Sequence, residues 1–87
     1  MAVDINTASA EKVLQRARGI GIELTEEHWK AIRFLFDDFR VRGETPNLRR
    51  VAVVGGVPIK RLLQLFPGEP GRKMAYIAGL PAPRWCA

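Results

Sequence analysis

Residues 25–42, TEEHWKAIRFLFDDFRVR, decide the fold, because they carry the clearest helical pattern in the chain. Thr25 is a good N-cap residue, and the two glutamates after it lie where the helix dipole favours negative charge. Gly43 ends the pattern. The spacing of three and four predicts an amphipathic helix, with Asp37 and Asp38 on a solvated face. Its predicted core face consists of Trp29, Ile32, Leu35, Phe36 and Phe39.

Two shorter segments on either side of this helix also carry helical signals. Thr7 is placed to cap a first helix that runs to about Arg18, before a glycine-rich turn at residues 19–24. Thr45 followed by Pro46 predicts the cap and first position of a third helix. The residues predicted to face inward are Val13, Leu14 and Ala17 in the first helix, and Leu48, Val51 and Ala52 in the third.

A fourth helix is predicted to start at Pro58, after a turn at residues 55–57. The proline- and glycine-rich residues 66–71 end it, and residues 72–78 are expected to add one or two turns. No strand alternation or internal repeat is present. The chain is therefore predicted to be an all-α small helical bundle with a helix-turn-helix-like unit and a C-terminal tail. The inward residues of the fourth helix are predicted to be Ile59, Leu62, Leu63 and Leu65.

Length and composition limit the classes of protein that remain. The 87 residues suit one domain, no apolar run approaches the ~18 residues of a membrane span, and the first residues lack signal-peptide character. We therefore expect a cytoplasmic protein. One cysteine permits no internal disulfide, and Cys86 with His28 cannot supply the four ligands of a zinc site. We expect no metal and no cofactor.

The charge is unevenly distributed. The chain has a net charge of +5, and from Arg40 onward nine Lys and Arg residues face only Glu44 and Glu69. An anionic partner and a merely soluble basic surface both fit this pattern. Residues 45–66 also resemble a helix-turn-helix unit, whose second helix could enter a major groove with few polar readers. The DNA-binding alternative would use Arg49, Arg50, Lys60 and Arg61.

His28 follows the predicted cap of the second helix by three residues. No serine, cysteine or paired carboxylate is nearby for triad chemistry. We interpret His28 as a first-turn surface or capping histidine rather than as a proton donor or ligand.

The only cysteine, Cys86, lies one residue from the C-terminus, after a segment with a glycine and two prolines. Such a position can be incidental, but a thiol on a free arm can also be handed to another protein. Positive neighbours favour the reactive thiolate, and Arg84 is two residues away. Three other cations could stabilise the thiolate or form a docking surface if the arm folds back: Arg49, Arg61 and Arg72.

Several motifs resemble those of the DsrC/TusE family. LFP at residues 65–67, Pro70 and IAGLPAPRWCA at residues 77–87 are similar to its C-terminal hallmark, IAGLP-x-P-x-x-C-x. Residues 19–29 are similar to its GI-x-LT-x-x-HW segment, and Pro46 with Arg49 looks like its P-x-x-R step. The resemblance covers nearly the whole chain from about residue 10.

The resemblance implies an orthogonal helical bundle at residues 1–78 and a mobile arm at residues 79–87. The family's N-terminal β-hairpin is expected to be reduced or absent in this short, alanine-rich N-terminus. The resemblance makes Cys86 a persulfide carrier, and Ala75 at the position of a second family cysteine indicates the single-cysteine, TusE-like class. The arm residues are Gly79, Leu80, Pro81, Pro83, Arg84 and Trp85, whose indole is expected to hold the arm against the body.

The same resemblance implies protein partners, and the lack of a long apolar run predicts no association with a membrane. Sulfur would arrive from a TusBCD/DsrEFH-like or rhodanese-like persulfide donor. It would leave to a tRNA thiouridylase, with an indirect association with tRNA, or to an enzyme of sulfur metabolism. Two alternatives stay open: a DNA-binding or regulatory protein without sulfur transfer, and a subunit that docks its tail into a sulfite-reducing or electron-transfer enzyme.

Overall fold

The computed structural model describes residues 7–84, with side chains from residue 10, and this part of the chain contains five α-helices and no strand. The all-α prediction is confirmed. The predicted loss or reduction of the N-terminal hairpin concerns residues that precede the described part of the chain. The predicted cap by Thr7 concerns a side chain that lies outside the described side chains. None of the five helices is long and apolar enough to cross a membrane. They are α1 (Thr7–Gly19), α2 (Glu26–Arg42), α3 (Leu48–Val53), α4 (Ile59–Leu65) and α5 (Pro70–Ala78).

Both ends of α2 lie where the local sequence signals predicted them. Thr25 occupies the N-cap position in an extended conformation. Its backbone N–H donates to Nδ1 of His28 over 3.0 Å, so a side chain of the first turn accepts the hydrogen bond of the N-cap amide. Gly43 closes the helix at φ +76°, and its N–H donates to the Phe39 carbonyl over 2.8 Å.

Helix α3 begins two residues later than predicted. Asn47 is its N-cap, because the Asn47 side-chain oxygen accepts the Arg50 N–H over 2.8 Å. The prediction that Thr45 and Pro46 form the cap is wrong, since the Thr45 hydroxyl donates instead to a carbonyl far along the chain. Asparagine caps as well as threonine does, and tertiary contacts decided between them.

Helix α5 is longer and more central than predicted. The segment expected to add one or two turns is a nine-residue helix with Pro70 in its first turn, where proline needs no N–H partner. It contacts α1, α2 and α4, so it lies at the centre of the bundle. Its buried residues are Pro70, Met74, Ala75, Ile77 and Ala78.

The core is formed by one face of each helix, but the inward faces differ in places from the predicted ones. Leu14, Ile59 and Leu63 are exposed, because each projects away from buried neighbours on the same short helix. On α2 the predicted stripe is rotated: Trp29, Phe36 and Phe39 are only half-buried. Helix α2 packs against both α5 and α3, and the residues that it buries are His28, Ala31, Ile32, Leu35 and Asp38.

Two adjacent leucines of α4 test this packing. Leu62 is fully buried, whereas the Leu63 side chain is 46% exposed. We expect Leu62→Ala to lower the free energy of unfolding by about 3 kcal/mol, because it removes buried methyl groups and leaves a cavity. Leu63→Ala, the matched control, should cost less than about 1 kcal/mol. Urea denaturation of both variants measures this, and equal losses would contradict the placement of α4.

Candidate functional site

The arm begins at Gly79, which turns the chain sharply at the end of α5. Gly79 has φ +78°, and the N–H of Leu80 donates to the Ala75 carbonyl over 2.9 Å. A Cβ at Gly79 would lie 2.7 Å from Nη2 of Arg16. The left-handed backbone conformation therefore favours glycine at this position, and any side chain there would also displace the Arg16 guanidinium.

Arg16 ties the first helix to this turn. Its Nε donates to the carbonyl of Ile77 over 2.9 Å, across 61 positions of sequence. A guanidinium at the C-terminal end of a helix also complements the negative end of the helix dipole. Arg16 was not singled out from the sequence, because nothing local indicates a contact between α1 and the last turn of α5.

The next residues of the arm lie on the connection between α2 and α3. The Thr45 hydroxyl donates to the carbonyl of Pro81 over 2.7 Å, and both Thr45 and Pro83 are buried. Leu80 is half-buried against the core. Arg84 follows, with Nη1 3.5 Å from Oε1 of Glu44. We call residues 79–84 the arm root, because these contacts hold them on the body.

The predicted arm residues are therefore placed by the structure as far as Arg84. Gly79, Leu80, Pro81 and Pro83 all take part in the arm root. Trp85 and Cys86, for which we predicted an indole contact with the body and the reactive thiol, lie outside the described residues.

A buried carboxylate lies beneath the arm root. Asp38 accepts hydrogen bonds from Nε and Nη2 of Arg50 over 2.9 and 2.8 Å, and from Nη1 of Arg42 over 3.0 Å. The hydrogen bonds from Arg50, aided by the one from Arg42, lower the pKa of Asp38 against the opposing effect of burial. The prediction that Asp38 lies on a solvated face is wrong, because α3 packs over this part of α2 and brings Arg50 as a countercharge.

The charged contacts continue from Asp38 to the arm. Arg42 uses its second terminal nitrogen to donate to Glu44 over 2.8 Å, and Glu44 is the residue that Arg84 approaches. Two concave surfaces flank Glu44 and Arg84, with volumes of about 140 Å³ and about 270 Å³. We call them together the arm-root surface. The first is lined by Arg42, Glu44, Thr45, Asn47, Arg50 and Arg84, and the second adds Phe39, Gly43, Pro81 and Ala82 to Glu44, Thr45 and Arg84.

Two of the three cations that were predicted to stabilise the thiolate or form a docking surface lie away from the arm root. Arg61 pairs with Glu27, and its hydrogen bond lowers the pKa of that carboxyl. Glu27 lies at the start of α2, roughly 22 Å along the helix axis from Arg42 at a rise of 1.5 Å per residue. Arg72 lies 3.9 Å from Glu69 near the start of α5, the end opposite to the arm.

Arg49, the third predicted cation, is exposed on α3 beside Arg50. The cations that line the arm-root surface are Arg42, Arg50 and Arg84. Of these three, the sequence predicted only Arg84 as a residue of the arm. The spacing of four between Asp38 and Arg42 is a sequence signal for their pair. The pairing of Asp38 with Arg50 has no such signal, since it depends on how α3 packs.

The same pairings bear on the helix-turn-helix alternative. Of the four basic residues that this alternative would use, Arg50 is held by Asp38 and Arg61 by Glu27. These carboxylates reduce the positive charge that the unit presents to a phosphate backbone. Arg49 and Lys60 remain exposed.

His28 is a structural residue. Its Nδ1 accepts the Thr25 N–H, so Nε2 carries the proton that it donates to the Leu65 carbonyl over 2.8 Å. The ring also packs edge-on against Phe66, with the ring centroids 5.0 Å apart. The interpretation as a capping histidine is confirmed, but the surface placement is wrong because the residue is buried. Both ring nitrogens are occupied.

Comparisons with known proteins agree with the motifs. A family model described as "DsrC like protein" matches residues 2–87, so this chain belongs to the DsrC-like family. It is 33% identical over 73 residues to the dissimilatory-type sulfite reductase subunit gamma of Nitratidesulfovibrio vulgaris (strain Hildenborough), covering 84% of this chain and 69% of that protein.

Other relatives carry the name sulfurtransferase TusE. The Escherichia coli K12 protein is 31% identical over 77 residues, which cover 80% of this chain and 71% of that protein. The Salmonella paratyphi A protein is 32% identical over 73 residues, covering 76% and 67%. No solved structure matches. The resemblance inferred from the motifs is confirmed.

The adjacent aspartates of α2 allow a matched test of the buried network. We expect Asp38→Asn to lower the free energy of unfolding at neutral pH by about 2 kcal/mol, because it breaks charge-assisted bonds and leaves Arg50 unpaired. Asp37 is exposed and pairs with the exposed Arg40, so Asp37→Asn should cost less than about 0.5 kcal/mol.

The pH dependence of this difference has a definite sign. The folded-state pKa of Asp38 is lowered, so its contribution is fully present above the unfolded-state value and is lost as the pH falls through the folded-state value. The gap between wild type and Asp38→Asn should therefore shrink on acidification below about pH 4. Chemical denaturation at several pH values measures it, and a constant gap would contradict the ionised, paired state of Asp38.

Thr45 provides a second matched pair. Thr45→Val keeps the shape of the side chain but removes the hydroxyl, so the Pro81 carbonyl loses its donor. We expect the free energy of unfolding to fall by about 1 kcal/mol. Thr45→Ser keeps the hydroxyl and should retain most of the stability. Thermal and urea denaturation distinguish the two. Equal stabilities for the valine and serine variants would show that the hydrogen bond from Thr45 to Pro81 does not stabilise the fold.

Proposed function

We propose that this protein is a sulfur carrier that accepts a persulfide sulfur on Cys86 and relays it to an acceptor protein. The observation that carries the proposal is the anchored arm root of a DsrC-like chain, which ends two residues before the only cysteine of the sequence. The hydrogen bond from Thr45 to Pro81 and the burial of Pro83 hold this segment on one side of the body, and Arg84 follows beside Glu44. Cys86 is two residues further on, so covalent geometry keeps its Cα within about 7 Å of the Arg84 Cα.

The transfer needs no external oxidant or reductant. The Cys86 thiolate attacks the outer sulfur of a donor persulfide, R–S–SH. The donor S–S bond breaks as a new one forms, which gives Cys86–S–SH and the donor thiolate R–S⁻. An acceptor thiolate then attacks the outer sulfur of Cys86–S–SH in the same way and regenerates the Cys86 thiolate.

The charges around the arm root suit this chemistry. A thiolate is the nucleophile, and neighbouring guanidinium groups stabilise it. Arg84 is two residues from the thiol in sequence, and Arg42 and Arg50 line the same concave surface as Arg84. These cations also suit the negative charge of a persulfide in its ionised form.

A single thiol is sufficient for such a relay. Ala75, the position of a second cysteine in part of the family, is buried on α5 with 1% of its surface exposed. The chain has no other cysteine, so an internal disulfide with Cys86 plays no part in the proposed cycle. This favours a simple carrier that receives and passes on one sulfur.

The proposed partners follow from the family. We propose an upstream persulfide donor of the TusBCD/DsrEFH-like or rhodanese-like kind, and a downstream acceptor that is either a tRNA thiouridylase or an enzyme of sulfur metabolism. The names of the TusE relatives support transfer of sulfur, and that of the subunit gamma relative supports an association with a sulfite reductase.

Intact mass measurement tests the carrier function. After incubation with a cysteine desulfurase and its substrate, or with polysulfide, wild type should gain about 32 Da, the mass of one sulfur, and lose it on reduction. Cys86→Ser, the control that differs by one atom, should gain nothing. A wild-type thiol that reacts with an alkylating reagent but never acquires sulfur would overturn the proposal.

A further inference from the structure

We propose that the arm-root surface is the docking surface for the protein that exchanges sulfur with Cys86, and that this partner presents carboxylates, one of which replaces Glu44 on Arg84. The inference rests on the proposed function and deepens it, since it names the surface and the chemistry of the partner. It draws on three independent observations: the fixed arm root, the charge of the surface, and the weakness of one ion pair.

The fixed arm root limits where exchange takes place. The arm is held on the body by Gly79, Pro81 and Pro83, so only the residues after them can carry the thiol outward. The reacting cysteine of a partner must then come within about 10 Å of Arg84, given about 3.5 Å of reach per residue. A partner with a standard interface of about 800 Å² on each side, centred there, covers both concave surfaces.

The charge of this surface fits a carboxylate. Three guanidinium groups line it, against Glu44 and the Asp38 carboxylate buried beneath. Each guanidinium has five N–H donors, and Arg50 spends two of its donors on Asp38. Donors are therefore left for a planar carboxylate of a partner, the geometry that arginine binds best. The net charge of +5 would also steer an acidic partner toward the chain.

The Arg84–Glu44 pair is weak enough for a partner carboxylate to replace Glu44. Its atoms are 3.5 Å apart, and the side chains are 77% and 42% exposed. An exposed pair of this kind contributes little to stability, so a partner carboxylate can take the place of Glu44 at small cost. The Arg61–Glu27 pair is the natural comparison, because it is also an exposed Arg–Glu pair but lies at the other end of α2.

Two synthetic donors test the inference. Both are short peptides of one length that carry a single cysteine persulfide, flanked by glutamates in one and by glutamines in the other. The rate of sulfur transfer to Cys86 is followed by intact mass for each peptide. The ratio of the two rates within one variant cancels any change in the intrinsic reactivity of the thiol.

Three variants of the full chain should change this ratio differently. For wild type we expect the glutamate peptide to react about threefold faster, as for one exposed charge pair. Arg84→Gln should bring the ratio close to one, and Glu44→Gln should raise it, because the internal competitor is gone. Arg61→Gln removes the same charge at the opposite end of α2 and should leave the ratio unchanged. High salt should lower the wild-type ratio.

Other outcomes overturn the inference. A ratio that survives Arg84→Gln, or that falls equally in Arg61→Gln, would show that this surface does not select the carboxylates. If neither peptide transfers sulfur to wild type, the proposed function fails instead. Binding of the peptides is then measured separately, by fluorescence anisotropy of labelled peptides that carry serine in place of cysteine. The same order of variants in binding would support the docking surface, and equal binding by all of them would reject it.

Discussion

The bond from Arg16 to the Ile77 carbonyl is the interaction on which the position of the arm depends. It joins the first described helix to the last turn of α5, the helix that contacts α1, α2 and α4. Gly79 then turns the chain in a left-handed conformation, and its lack of a side chain leaves room for the guanidinium. Because one face of α5 is buried and its end is held by Arg16, the core sets the direction in which the arm leaves the body.

Buried polar groups complete the positioning of α2. His28 connects the start of this helix to the end of α4, and Asp38 connects its last turns to α3 through Arg50. Among the described side chains, no buried nitrogen or oxygen lacks a hydrogen-bond partner. Buried polar groups are costly unless they are paired, so these contacts restrict the helices to one arrangement. The restriction matters because the C-terminal end of α2 leads into Glu44 and Thr45, which contact the arm root.

The parts of the fold that local signals determine were predictable. Thr25 and Gly43 bound α2 as expected, since capping depends on residues within one turn. The start of α3 was not predictable, because Thr45 is drawn to Pro81 by a contact over 36 positions. The exposure of Leu63 was not predictable either, because a seven-residue helix with several apolar residues does not reveal which face packs.

The candidate site divides in the same way. The arm residues could be identified from their motif, and the structure places those from Gly79 to Arg84. The cations beside them could not be identified, because Arg50 reaches the arm-root surface only through the packing of α3 on α2. The sequence shows which residue types are present and how they are spaced. Tertiary contacts determine which of the arginines lie on the arm-root surface.

Amide hydrogen exchange of the whole chain tests most directly whether the arm root is part of the folded body. The Leu80 amide donates to the Ala75 carbonyl over 2.9 Å, so it should exchange as slowly as the amides of α5. Exchange of Leu80 at the rate of an unstructured peptide, with α5 still protected, would show that the arm root is not part of the folded body. The arm would then leave the body at Gly79, and no fixed surface would lie beside the thiol.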